Sequence, residues 1–468
     1  MKIYDRVYGE IFFPEIIRDL LDCPALLRLR DVRMANNQFV AFPAFANTSR
    51  YEHSLGVCHL ADICAKTLSL SEKDRIELMM ACLYHDVGTP PFAHAMEEVL
   101  QAEYGFDHEK NLRNIVEGTN SSYAGAFEQI YLGGTIKLKS VCQSKHGREL
   151  GLDVYRVAKI IVGDKSEPLS SLLNGDGMDL DNIDNVVRAS TAMGIIDSTD
   201  YNLAERLASS FTILEDGTIG HNALNANDIK RWQKIRDDQY SAIFDSVDDF
   251  AYQTMIKKSL GLLIKGDSQY RLNADSWKLT DASILHNYLL KNEYSRPIIE
   301  KVLLEKPFRC LGILYVKGAN VTSFINGHIE DIEKLVSKYY SNLMGIEELN
   351  SSLPSVVVNF YPDKRKRTIK TQATLMGMPV PIDDGEKKDK PGALLGLFTP
   401  VMSNKYKSII QKDGKKIRKL VSYSNEDIFN IISLLKKSIF NQYEVTIYGK
   451  GKNKNNSGKL EQNQLGLF

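Results

Sequence analysis

Two helical runs stand back to back and are then cut short, and that interruption constrains the fold more than any other feature of the sequence. Ser54–Leu70 places Leu55, Cys58, Ala61, Ile63 and Leu68 at near-helical spacing. Ser71 reads as the N-cap of a second helix, with Lys73 and Asp74 in its first turn and Ile76, Met79, Met80 and Leu83 along one face. Gly88, followed by Pro90 and Pro91, stops it. Further helices are expected at Val154–Val162, Asp181–Ala189, Ala204–Ser210 and Asp228–Leu263, with no strand-rich block before residue 300. The pattern changes after Pro307. CLGILYVKG (310–318) and SVVVNFYP (355–362) read as strands, Asp331–Leu343 and Glu426–Phe440 as helices. The fold class is therefore mainly α, a helical core with a smaller C-terminal α/β lobe. The expected divisions are 1–300 for the helical catalytic domain, 301–450 for the lobe and 451–468 for a mobile tail.

Charge supports two parts. Lys+Arg and Asp+Glu balance at 59 each, yet residues 301–468 hold 27 basic and 16 acidic side chains, leaving the front half acidic. A basic lobe suits an anionic effector, a subunit contact or nucleic acid, and equally a solvated surface. The basic runs KRKR (364–367) and KDGKKIRK (412–419) carry no interleaved aromatics, which weighs against single-strand binding. No apolar run reaches the roughly 18 residues that a membrane span needs. The N-terminal MKIYDRVYGEIFFPEIIRDL has acidic residues where a signal peptide needs an apolar core. The six Cys are never closer than six residues, so there is no CxxC pair, and they read as reduced thiols of a cytoplasmic protein.

The unusual chemistry lies between residues 50 and 109 and around 179–184. Five of the nine His (53, 59, 85, 94 and 108) fall in the first stretch, accompanied by carboxylates. Neighbours in mid-helix point about 100° apart, but His85 and Asp86 stand at a helix end, where the turn lets both converge on one ion. Imidazole with carboxylate suits Mn²⁺, Fe²⁺ or Co²⁺, and more oxygen admits Mg²⁺. His53 can supply a third ligand if the two helices pack antiparallel, and a remote Asp can close the site. His59 reads as packing. His146, His221, His286 and His328 have no partner at ligand spacing. No Walker, Rossmann or nucleophile-elbow motif is present.

The segments Arg50-Tyr-Glu-His53-Ser-Leu-Gly, His85-Asp86-Val-Gly-Thr-Pro-Pro-Phe-Ala-His94-Ala-Met-Glu97 and Gly177-Met-Asp179-Leu-Asp181-Asn-Ile-Asp184 with Arg188 resemble, in order and spacing, the HD-domain phosphohydrolases of the dGTPase and SAM-and-HD-domain dNTP triphosphohydrolase kind. The resemblance covers about residues 20–260. It implies one divalent ion per site, Mg²⁺ or Mn²⁺ first and Fe²⁺, Co²⁺ or Zn²⁺ as alternatives, held by His53, His85, Asp86 and Asp181. Asp179 and Asp184 compete for the last place; their bland reading is as caps or partners of nearby cations. It implies a catalytic pair His94 and Glu97, with His108 at the phosphate or leaving group. Arg50 is expected on the triphosphate, and Asn185 and Arg188 at the substrate. Thr89, Asn185 and Ala189 depart from the SAM-and-HD branch, which has His, Tyr and Asp there, so base and deoxy-over-ribo preference stay open. The resemblance further implies hydrolysis of dNTP to deoxynucleoside and triphosphate, a homo-oligomer (tetramer or hexamer), a dNTP effector, and a role in lowering dNTP pools, including in antiviral defence. Two other classes stay in view: another HD phosphohydrolase acting on a nucleotide, alarmone, cyclic dinucleotide or single-stranded nucleic acid, and a non-catalytic nucleotide sensor.

Overall fold

The computed structural model describes residues 2–35, 41–117, 137–175, 177–197, 200–214, 218–264, 269–344, 353–363, 371–372, 374–375, 378–379, 391–400, 406–410, 416–420 and 425–448. The chain forms two compact units, Met1–Phe308 with Lys364–Asp389, and Arg309–Asp363 with Lys390–Phe468. The boundary expected at 300/301 therefore moves past the end of the helix Arg296–Leu303 to the start of the strand Arg309–Lys317. Within the helical unit the described residues Thr371 and Gln372 pair in parallel with His221 and Asn222. The expected mobile tail 451–468 and the KRKR run lie outside the described residues.

The helical unit begins with a strand that the sequence reading did not expect. Strands β1 (Lys2–Asp5) and β2 (Gly9–Phe12) form an antiparallel hairpin, Asp5 opposite Gly9. A short helix α1 (Pro24–Arg28) follows. Helix α2 (Arg50–Thr67) starts earlier than its periodicity suggests because of a capping box. The Ser49 hydroxyl accepts the Glu52 N–H, and the Glu52 carboxylate accepts the Ser49 N–H. Helix α3 (Glu72–Tyr84) starts at the expected N-cap, Ser71, which accepts from the Asp74 N–H. These two helices pack closely, and both bury long apolar faces that include Leu55, Val57, Leu60, Leu78, Met79 and Leu83.

Helices α4 (His94–Tyr104), α5 (His108–Glu117) and α6 (Val154–Ile161) lie further along the chain, and α5 and α6 pack together. Helix α7 (Leu180–Ala192) lies against α2. Helix α8 (Leu203–Ala208) leads into a second unexpected hairpin, β3 (Phe211–Ile213) and β4 (Ile219–Asn222). The single helix expected over 228–263 is two, α9 (Ala226–Asp245) and α10 (Val247–Leu262), because Ser246 leaves helical geometry at φ −83°, ψ 88°. Helices α11 (Asp281–Ile284) and α12 (Arg296–Leu303) close the unit.

In the second unit β5 (Arg309–Lys317), β6 (Val357–Pro362), β7 (Gly392–Thr399) and β8 (Glu444–Ile447) form an antiparallel sheet in the order β8-β5-β7-β6. Helices α13 (Val321–Met344) and α14 (Asn425–Ser438) cover it. Ile325, Ile332, Val336 and Tyr340 of α13 meet Leu395, Leu397 and Val358 of the sheet in one apolar core. Fold class is as expected, mainly helical with a smaller α/β lobe. Among the described residues no helix is long and apolar enough to cross a membrane, and the six Cys form no disulfide.

Candidate metal centre

Four side chains from three elements meet where α3 ends. His53 sits one turn into α2, buried on the face that packs against α7. His85 and Asp86 occupy the turn after α3, and Asp181 stands in the first turn of α7. One ligand atom each of His53, His85 and Asp181 lies within 4.8 Å of the others. His53 Nε2 is 2.9 Å from Asp181 Oδ1 and 3.3 Å from His85 Nε2. Asp86 Oδ2 lies 3.6 Å from His85 Nε2 and 4.0 Å from His53 Nε2, while both its oxygens sit 2.8 Å from Arg50 Nη1. Its third support is the Thr89 hydroxyl, 2.9 Å from Oδ1.

The donor set fits a divalent cation. His85 Nδ1–H donates to the Cys82 carbonyl at 2.7 Å, which leaves Nε2 as a lone pair aimed at the cluster. Two imidazole nitrogens this close need a proton or a cation between them and the neighbouring carboxylate. Without an ion a proton takes that place. Burial lowers the pKa of His53, but its hydrogen bonds to Asp181 and Asp184 outweigh it and raise it from 6.5 to about 10. Asp86 is held far below the usual carboxylate range: burial opposes this, and Arg50, His85 and His53 overcome it. Asp181 is likewise lowered, burial being outweighed by His53 and His85.

Behind the site a buried charge chain orients His53. Its Nδ1 lies 2.6 Å from Asp184 Oδ2, and Arg188 grips Asp184 through Nε at 2.9 Å and Nη2 at 3.0 Å. The bland readings of the two competing carboxylates hold: Asp184 pairs with cations, and Asp179 caps α7 by accepting the Asn182 N–H at 2.7 Å. Arg188, expected at the substrate, is corrected. Its side chain is wholly buried and spent on Asp184 and Asp5, so no face is left for a ligand. Asn185, one turn beyond Asp181 on α7, is exposed. Gly56 allows the close approach of α2 and α7, since a Cβ there would stand 2.0 Å from Asp184 Oδ1 and 2.3 Å from Arg188 Nη2.

The second cluster belongs to α4 and α5. His94 Nδ1 is 3.0 Å from Glu97 Oε2, its imidazole largely exposed. His108 Nδ1 is 3.9 Å from Glu97 Oε1 and is buried without a hydrogen-bond partner. Burial lowers the pKa of His108, although Glu97 and then Asp86 pull the other way. Glu97 is lowered despite burial by His94, His108 and, more weakly, Arg50. The two clusters thus share one electrostatic field, linked by Asp86 and Arg50. Among the described residues Arg50 Nε is a second buried nitrogen with no hydrogen-bond partner, and both lie beside the candidate cation site.

Three supports were not legible locally. Arg28, buried at the end of α1, donates to the carbonyls of Val87 (3.0 Å), Thr89 (2.7 Å), Trp277 (3.2 Å) and Leu279 (2.9 Å), which pins the turn bearing Asp86. Asp281 accepts the N–H groups of Phe92 (2.8 Å) and Arg33 (3.0 Å). Phe92 and Ala93 have positive φ (54° and 46°), a conformation costing about 1–3 kcal/mol each, and it sets the start of α4 at His94. Asp281→Ala orphans two buried donors and is expected to cost about 2–5 kcal/mol in urea unfolding; a loss under 1 kcal/mol would contradict the assignment.

His221 is the third support. Its Nε2–H donates to the Met178 carbonyl at 3.0 Å, and its Nδ1 meets the Ser210 hydroxyl at 2.7 Å, steadying the segment before Asp181. Burial lowers its pKa from 6.5 to about 4, the Met178 carbonyl pulling weakly upward. The folded state therefore refuses a proton that the unfolded chain accepts. Stability present above pH 6.5 is expected to fall as pH drops toward 4, by about 3 kcal/mol. Urea midpoints across that range should fall less steeply for His221→Gln; parallel curves would refute the assignment.

The HD domain model matches residues 50–136. Over 117 residues the chain is 34% identical to a deoxynucleoside triphosphate triphosphohydrolase SAMHD1 homolog of Dictyostelium discoideum, covering 23% of each chain. Over 105 residues it is 33% identical to deoxynucleoside triphosphate triphosphohydrolase SAMHD1 of Mus musculus, covering 21% of this chain and 16% of that one. The matches thus span less than a quarter of these relatives. A solved phosphohydrolase of Bacteroides thetaiotaomicron shares the fold, with TM-score 0.61 at 17% identity over 85% of this chain and 99% of that one.

Proposed function

The chain carries an HD domain of the phosphohydrolase kind, and from that premise we propose that it is a metal-dependent deoxynucleoside triphosphate triphosphohydrolase, releasing deoxynucleoside and inorganic triphosphate. The observation that carries the reading is the pairing of a three-ligand cation site with two orphaned buried donors, Arg50 Nε and His108 Nδ1, next to an exposed His–Glu pair. The similarity to triphosphohydrolases over the HD region supports the choice of substrate.

His53, His85 and Asp181 would hold the ion, with Asp86 beside them. A divalent ion held there would supply Lewis-acid polarisation of a phosphate oxygen and a lowered pKa for water. Arg50, charged and anchored on Asp86, offers its remaining N–H groups to the phosphate tail. His94 is oriented by Glu97 through Nδ1, which leaves Nε2 free to move a proton at the α-phosphorus or the departing 5′-oxygen. His108, kept neutral by burial, adds a donor that offsets charge on the phosphates. A homo-oligomer and a dNTP effector belong to the same reading.

The test is metal reconstitution. Protein stripped with chelator should be inactive on dGTP or another dNTP and regain turnover on adding about one equivalent of Mn²⁺. Full activity after exhaustive stripping would refute it. His94→Gln is expected to lower kcat by about a hundred- to ten-thousandfold without changing Mn²⁺ affinity; unchanged kcat would remove His94 from the mechanism.

A further inference from the structure

The charge chain behind His53 does not end at Arg188. It runs on into the turn of the N-terminal hairpin. Asp5 Oδ1 accepts the N–H groups of Val7 at 2.7 Å and Tyr8 at 3.2 Å, and Asp5 Oδ2 meets Arg188 Nη1 at 2.9 Å. The Tyr8 hydroxyl donates to Asp184 Oδ1 at 2.6 Å, and the Arg188 guanidinium lies 5.6 Å from the Tyr8 ring centre. Arg6 Nη2 reaches the Thr48 hydroxyl at 2.7 Å and the capping-box carboxylate of Glu52, next to His53, at 3.2 Å. Residues 5–8 thereby grip the first turn of α2 and the middle of α7 together.

The hairpin buries little of its own. Of the eight residues in its strands only Ile11 is fully buried, and Tyr4 and Phe12 are exposed. Its polar turn, by contrast, reaches a buried cluster more than 170 residues away in sequence. Asp184 is shared between four donors. Oδ2 takes His53 Nδ1 and Arg188 Nε, and Oδ1 takes the Tyr8 hydroxyl and Arg188 Nη2. Remove the Tyr8 hydroxyl and Oδ1 keeps only Arg188 Nη2, so the hold of the carboxylate on the imidazole is loosened.

We propose that this hairpin turn is a positioning clamp for the metal centre, in which Tyr8 and Asp5, acting through Asp184 and Arg188, hold His53 with Nε2 facing the ion. The proposal rests on the reading that His53 ligates a divalent cation. Partners of this kind orient a ligating imidazole and raise its basicity, and losing one typically weakens metal binding by about 10–100-fold. Neither Tyr8 nor Asp5 touches the ion or the substrate; both are positioning residues.

The test compares the full-length protein with Tyr8→Phe, Asp5→Asn and Tyr4→Phe. Tyr4→Phe makes the same chemical change on the exposed side of the same hairpin, where the hydroxyl donates to Glu10. Mn²⁺ affinity is measured by titration calorimetry, and the visible absorption of the Co²⁺-loaded protein reports ligand geometry. Tyr8→Phe and Asp5→Asn should each bind Mn²⁺ about tenfold or more weakly and shift the Co²⁺ bands, while Tyr4→Phe matches the parent protein on both counts. Tyr8→Phe with parent affinity and unshifted bands overturns the clamp. If the parent protein itself binds neither ion, the underlying metal reading falls and the clamp with it, an outcome distinct from the first.

Discussion

Asp181→Ala is expected to lose at least a thousandfold in turnover and to bind Mn²⁺ too weakly to titrate. Asp181 is the carboxylate that closes the cluster, with Oδ1 2.9 Å from His53 Nε2 and 3.8 Å from His85 Nε2. Without it two imidazoles face the ion with only Asp86 nearby, and Asp86 is already held by Arg50. A metal supplies several kcal/mol of charge stabilisation in the transition state, and a thousandfold corresponds to about 4 kcal/mol. The variant should still fold, because Asp181 is about one-third exposed and His53 keeps its bond to Asp184. Single-turnover rates with and without Mn²⁺ decide the point. Parent-like turnover in a folded Asp181→Ala protein would remove Asp181 from the site.

The second large effect concerns stability. Arg188→Met should destabilise the helical unit by about 3–5 kcal/mol, since it removes the cation that the buried carboxylates of Asp184 and Asp5 share. At this size that is a drop of roughly 10 °C in the thermal midpoint. Gly56→Ala strikes the same cluster from the opposite helix, where the new methyl would stand 2.0 Å from Asp184 Oδ1. The two losses should not add, because both break one network. Calorimetry of the two single variants and the double variant checks this. A midpoint for Arg188→Met within about 2 °C of the parent would show that the network contributes little.

The sequence made some of this readable and concealed the rest, for physical reasons. The helices α2 and α3 were legible because a 3.6-residue period, a Ser N-cap and a Gly-Pro-Pro stop agree. The candidate metal cluster is legible in part because His85 and Asp86 fall at that stop, while Asp181 enters only through the resemblance. Arg188 was misread because its position matched a substrate residue, whereas its environment depends on Asp5, 183 residues away. Arg28, Asp281 and Tyr8 gave no local signal at all, since their partners are backbone groups or side chains distant in the chain. The hairpin β1–β2 escaped notice because KIYD and GEIF are short and only Ile11 is fully buried. The break at Ser246 left the apolar period of α9 and α10 uninterrupted in sequence.

Product identity tests the central claim most directly. The purified protein is incubated with each of the four dNTPs, singly and mixed, with Mg²⁺ or Mn²⁺ and beside an Asp86→Ala control, and the products are separated by anion exchange. The account predicts inorganic triphosphate and free deoxynucleoside in equal amounts, absent in the control. Release of orthophosphate or pyrophosphate instead, or no triphosphate from any dNTP under any of these conditions, would contradict it.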